Sequence, residues 1–113
     1  MPRLTGYRFG HLTVDDVEHV RDVIVLPDRV VSDWWRVDGH SLCTEDLAGV
    51  VDDLPGYLVV GTGHDGRMQP QPEALRHLRD RGITVEALRT TEAVRRYGEL
   101  DPTTTAAALH LTC

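Results

Sequence analysis

The 113-residue chain contains no lysine: all twelve of its basic residues are arginine. That absence removes the Walker A lysine, Schiff-base lysines and lysine general bases, and with them the usual P-loop NTPases and PLP enzymes. Cysteine is scarce, with two residues. The opening stretch "MPRLTGYRFGH" lacks the continuous apolar segment of a signal peptide, so a cytoplasmic setting with reduced thiols and no structural disulfide is expected. No apolar run approaches the roughly 20 residues that cross a bilayer, which argues against membrane insertion. A basic patch is missing as well. The net charge is -6 with acidic groups scattered along the chain, so a nucleic-acid partner is not expected.

What is present is an ordinary globular balance, 41% apolar and 27% charged, in a length that accommodates one domain over residues 1–113 and is too short for a cofactor domain plus a substrate domain. The first half reads as β structure: "YRFGHLTV" alternates loosely, "DVIVL" is a short apolar run, and "RVVSDWWRV" follows a Pro27-Asp28 turn. Thr44 before Glu45 and Asp46 reads as an N-cap, and Leu47, Val50, Val51 and Leu54 give helical spacing up to Pro55-Gly56. The second half changes period. "YLVVG" reads as a buried strand, Pro72-Glu73 opens a helix closed by Gly82, and "ITVEAL" is the next strand, so a parallel crossover is implied. Thr90-Thr91-Glu92 opens another helix that ends near Gly98, and "TTAAALHLT" reads as a last strand. The order implies an α/β sheet.

Four features invite a functional reading. The first is "GTGHDG", residues 61–66, which matches G-x-G-x-x-G after a strand, with Glu86 about twenty residues on, the dinucleotide pattern on paper. Dinucleotide binding requires a helix to begin inside the motif so that its free N–H groups meet the pyrophosphate. Here "RMQPQP" intervenes, which favours a plain glycine-rich loop with no cofactor. The second is the adjacent pair Trp34 and Trp35 beside Arg36. On a strand they face opposite sides: either both are covered, or one stays on the surface, where Trp with Arg is the composition of an interface hot spot.

The other two are His-x-x-Cys pairs, His40 with Cys43 and His110 with Cys113. Residues three apart on a strand face opposite sides and cannot share a metal, so no metal site is expected. Nucleophilic use of Cys113 is a separate alternative, opposed by the adjacent terminal carboxylate unless a positive group neutralises it. The simpler reading sets Leu109, Leu111 and Cys113 on one face of the final strand and His110 and Thr112 on the other.

Taken in order, "DVIVLPDRVVSDWWRVDGHSL", the "TEDL" helix start, "YLVVGTGHDGRM", the Pro-Glu helix, "RGITVEALRTTEAVRRYGEL" and "AAALHLTC" resemble the Mth-nine-three-eight-like domain family over about residues 6–113. That family includes the adipogenesis-associated domain protein and a mitochondrial complex I assembly factor. The resemblance implies a single three-layer α/β domain with a mixed central β-sheet flanked by helices and an additional β-hairpin layer. It supplies no cofactor and no catalytic residues, and its characterised members look like assembly or interaction factors. Trp34, Trp35, Arg36, Gly39, His40, Gly61, Thr62, Gly63 and Cys113 occupy family-pattern positions. Cys43 does not, and Tyr97-Gly98 departs from the Tyr-Asn of the pattern.

The expectation is therefore an interaction or assembly module without catalytic activity, with a protein partner and homo-oligomerisation open. Its candidate binding residues are Trp34, Trp35, Arg36, His40, Gly61, Thr62, Gly63 and Cys113. The alternative is a small-ligand-binding protein or thiol enzyme using the Gly61 to Gly66 loop, a histidine and Cys113.

Overall fold

The computed structural model describes residues 2–113. The chain begins with an antiparallel meander of β1 (Leu4–Arg8), β2 (His11–Val14) and β3 (Val17–His19). Val14 pairs with Val17, so Asp15 and Asp16 form a two-residue turn, and both have positive φ (49° and 71°). That is the turn whose twist matches a hairpin, and Asp is among the few residues that adopt it readily.

β4 (Val23–Val25) and β5 (Val30–Val31) follow, then a short β6 (Ser41–Leu42). The crossover half comprises β7 (Tyr57–Gly61), a short β8 (Gln69–Pro70), α1 (Pro72–Asp80), β9 (Thr84–Leu88), α2 (Thr90–Gly98) and β10 (Thr105–Leu109). Five strands form a mixed sheet in the order β5-β4-β10-β7-β9. The β10, β7 and β9 strands run parallel, while β4 is antiparallel to β10 and to β5. Pro72 in the first turn of α1, Glu73 beside it, and Gly82 at φ 80° just past the end are the start and stop signals that fix this helix.

Strand alternation divides the core between two faces. On one face Val25, Val59, Ala107 and Leu109 are covered by Ala93 and Tyr97 of α2 and by Leu12 and Val14 of the meander. On the other, Ile24, Leu58, Val60, Ala106 and Ala108 lie under Leu78 of α1 and under Leu47 and Val50. The result is the mixed α/β architecture with an added β layer that the resemblance implies. The central strand β10 carries Ala106, Ala107 and Ala108, all fully buried. Small side chains there let both covering layers approach the middle of the sheet.

Three boundaries differ from the sequence reading. The expected helix from Thr44 to Leu54 is instead two 3₁₀ turns, Thr44–Leu47 and Val51–Asp53, the first capped by Cys43 rather than Thr44. Gly49 and the β-branched pair Val50-Val51 make a continuous α-helix costly there. "RVVSDWWRV" pairs only at Val30–Val31, because Asp33 enters the left-handed region at φ 53° and Trp34 sends its N–H to the Asp22 carbonyl (2.9 Å). The last strand ends at Leu109, yet Leu111 continues into the same core cluster. Replacing Ala107 by Leu should overpack the layer formed by α2 and the meander and cost about 1–3 kcal/mol in urea denaturation.

Candidate functional site

A densely bonded carboxylate lies where β4 begins. Asp22 precedes the buried run Val23-Ile24-Val25, so its side chain emerges at the sheet's end, beside the segment leaving β10. Its Oδ1 accepts the Leu111 N–H (2.8 Å), and its Oδ2 accepts from Arg36 Nη1 (2.6 Å) and lies 2.8 Å from His110 Nδ1. Burial alone would push this carboxyl up. The hydrogen bonds from His110, Leu111 and Arg36 outweigh it and hold Asp22 below its ordinary value. An ionised carboxylate can only accept, so the short contact places a proton on His110 Nδ1.

Arg36 is almost wholly covered, with 4% of its side chain exposed. Besides Asp22 it donates to the Gly39 carbonyl (3.1 Å), and its guanidinium lies 5.1 Å from the centre of the Trp34 ring. Its Nε is buried and has no acceptor among the described residues. Trp34 is 7% exposed and donates from Nε1 to the Asp46 carbonyl (2.9 Å). Trp35, its neighbour, is 74% exposed, with the Arg21 guanidinium 5.9 Å from its ring and Asp33 3.7 Å from Arg21. The two indoles thus take opposite sides even though the segment is not a strand. Between them opens a groove of about 350 Å³ whose walls include Val20, Trp34, Trp35, His110 and Thr112.

The glycine loop is occupied by the chain itself. A Cβ on Gly63 would collide with the Cys113 backbone and with His110, and one on Gly61 would meet Leu109 and Thr90. Gly63 donates its N–H to Thr90 Oγ1 (2.9 Å), and Thr90 Oγ1 in turn donates to the His110 carbonyl (2.5 Å). His64 N–H goes to the Thr112 carbonyl and Arg67 N–H to that of Cys113. Thr62 is buried, with its hydroxyl on the Leu88 carbonyl. These N–H groups hold the segment after β10, and Gly61 and Gly63 are glycine because that segment presses against them.

The remaining candidates are scattered. His40 is exposed and contributes its carbonyl to Gln69 N–H. Both cysteines are free and partly covered. Desolvation, and then the carboxylates of Asp46 and Glu45, push the Cys43 thiol up, which keeps it protonated. Among the described residues no group of three or more His, Cys, Asp and Glu side chains is arranged to hold a metal ion. The structure therefore brings Trp34, Trp35, Arg36 and His110 to one place, and Gly61, Thr62, Gly63 and Cys113 to another, with His110 touching both. Asp22, the residue at the centre, is missing from the sequence reading. A carboxylate abutting a buried strand was its only local signal, and its partner His110 lies 88 positions away.

Comparison with known proteins places this geometry in a wider group. The family model for proteins of unknown function DUF498/DUF598 matches residues 4–110. A conserved hypothetical protein of Pyrococcus horikoshii is similar at 26% identity and a TM-score of 0.83, over 98% of this chain and 99% of that one. A Bordetella parapertussis protein is similar at 27% identity and a TM-score of 0.81, over 98% and 96% of the two chains. A Bordetella pertussis protein described as a Mth-nine-three-eight-like domain matches at 24% identity and a TM-score of 0.75, over 97% and 85%, a likeness of fold alone.

Two outcomes follow from this geometry. Gly63→Ala combines a φ of 108° with a collision against backbone, so it should cost more than about 2 kcal/mol in thermal denaturation. Asp22→Ala leaves Arg36 unpaired in a buried position, a loss of about 3–5 kcal/mol. A carboxyl depressed in the folded state binds its proton more readily when unfolded. Its stabilisation is therefore complete above the unfolded value, about pH 4, and drains away as the pH falls through the folded value. A wild-type stability curve that stays flat below pH 4, matching that of Asp22→Asn, would contradict this assignment.

Proposed function

The chain belongs to the DUF498/DUF598 family of proteins of unknown function, the Mth-nine-three-eight-like domains, and within that family we propose that it is a docking module whose Trp35 face takes a protein partner. One observation carries the reading: of two adjacent tryptophans, the first is buried and anchored, and the second is held out with 74% of its surface in solvent. Exposing an indole forgoes about 2 kcal/mol or more of burial, a loss that a partner covering the ring would recover.

The support around Trp35 is rigid. Trp34 is pinned by Asp46 and capped by Arg36, and Arg36 is pinned by Asp22. Val20 and Val37 are exposed as well, Val20 in the groove wall beside Trp35. An aromatic centre with apolar neighbours, flanked by Arg21, is the make-up of a hot spot with its polar rim. His110 is committed to a carboxylate rather than to a thiol, and the glycine loop is filled by the chain's own residues. Both facts favour docking over thiol chemistry.

The two tryptophans separate the roles. Trp35→Ala should leave the melting temperature within about 1–2 °C of wild type, as exposed-site substitutions do, and abolish the capture of a partner from native lysate. Trp34→Ala should instead cost about 3–5 kcal/mol. If a partner is retained undiminished by the Trp35→Ala protein, the docking face lies elsewhere.

A further inference from the structure

One edge of the five-stranded sheet is long, regular and unpaired. β9 stands last in the order β5-β4-β10-β7-β9, and no strand lies beyond it among the described residues. Its ladder to β7 keeps one register over all five residues. The Thr84 N–H meets the Gly56 carbonyl (2.9 Å) and the Leu88 carbonyl takes the Thr62 N–H (2.8 Å), so by strand alternation Thr84, Glu86 and Leu88 bond inward to β7. Val85 and Ala87 therefore turn their N–H and C=O groups away from the sheet. The other long-range edges are blunted in the usual ways: β5 has two residues, β3 has three, and β1 loses register between Thr5 and Arg8. β9 has no proline, no lysine and no bulge, and its one charged residue, Glu86, is spent on Tyr57 and Arg96 at the α2 face.

We propose that the β9 edge is a second interaction surface, which takes an extended segment of a protein partner as a sixth strand of the sheet. It is independent of the Trp35 face, which sits beside the start of β4, two strands away across the sheet. The backbone fixes the chemistry of the occupant: two donors and two acceptors alternate at strand spacing on Val85 and Ala87, and only another extended main chain answers all four. Side chains then choose among strands. Along the edge runs a groove of about 470 Å³ walled by Leu75 and Arg79 of α1 and by Ile83, Val85 and Ala87. A strand added to β9 turns every second side chain toward α1, where Leu75, Ile83 and Val85 favour an apolar residue. Arg79 is exposed and has no carboxylate within ion-pair distance among the described residues, so an acidic residue two positions from the apolar one completes the match. A second copy of this chain is the poorer occupant. Paired antiparallel through Val85 and Ala87, two copies would set Glu86 directly opposite its own equivalent, and like charges there are destabilising.

The edge is tested on the intact protein by NMR with the blocked peptide acetyl-Thr-Glu-Thr-Val-Thr-Glu-Thr-amide, whose valine and glutamates share one face in either strand direction. In the free protein the Val85 and Ala87 amides should exchange with solvent fast while those of Glu86 and Leu88 are protected. The peptide should shift Val85 and Ala87 saturably and slow their exchange, and its backbone N-methylated version should do neither. Replacing both glutamates by lysine should weaken binding about two- to fivefold, the worth of an exposed ion pair, and Arg79→Glu should reverse that order. Ala87→Pro removes an outward N–H and spares the ladder to β7, so it should abolish the shifts. Should that variant unfold, the charge reversal at Arg79 still decides. Trp35→Ala should leave peptide binding unchanged, which separates this edge from the docking face. No saturable shift at Val85 and Ala87, equal binding of the N-methylated peptide, or protection of both amides in the free protein would overturn the proposal. A dimer in sedimentation that Ala87→Pro dissociates would assign the edge to a second copy and refute a foreign strand.

Discussion

The fold closes around one carboxylate. Asp22 accepts the Leu111 N–H on one oxygen and Arg36 and His110 on the other, while its backbone carbonyl takes the Trp34 N–H. Three stretches of chain meet there: the start of β4, the Trp-Trp-Arg segment, and the residues that leave β10. A charge this deep is costly unless its lone pairs are answered, and here the answering groups come from two other pieces of the fold, the Trp-Trp-Arg segment and the residues leaving β10. The arrangement therefore acts as a register device as well as a source of stability. Slide any of the three segments and the carboxylate loses a donor it cannot replace with water.

The same segment after β10 is held from its other side by the glycine loop. Gly61 and Gly63 allow it to lie against β7 and α2, and Thr90 bridges the Gly63 N–H to the His110 carbonyl. His110 thus has its backbone fixed by the loop and its ring fixed by Asp22. Orientation of that imidazole is therefore over-determined. The tryptophan pair inherits this rigidity through Arg36, whose guanidinium covers Trp34 and leaves Trp35 standing clear.

The crossover half of the fold was legible because its signals are local. Pro72, Glu73 and Gly82 mark one helix, Thr90 and Glu92 open the next, and the runs between them are apolar enough to be buried strands. The Thr44 to Leu54 helix was misread because apolar spacing survives when a helix breaks into 3₁₀ turns, whereas the glycine and β-branched residues that break it weigh little in a periodicity count. The role of the glycine motif was invisible in the sequence, because what fills it is a segment almost fifty residues downstream. Asp22 escaped for the same reason. One acidic residue before a strand looks like any other until long-range pairing brings His110 and Arg36 to it.

The position of β10 also sets the order in which this chain must assemble. It is the last strand along the chain and the middle one in space, bonded to β4 on one side and β7 on the other. Until β10 emerges from the ribosome, at about 5–20 residues per second, the central slot of the sheet between β4 and β7 is vacant. Only when the alanine run emerges can the halves join, so the protein spends several seconds of its synthesis as two unfinished pieces. A sheet completed from the inside out in this way is slow by topology, and it leaves a nascent chain dependent on whatever shields the edges of β4 and β7 in the interval.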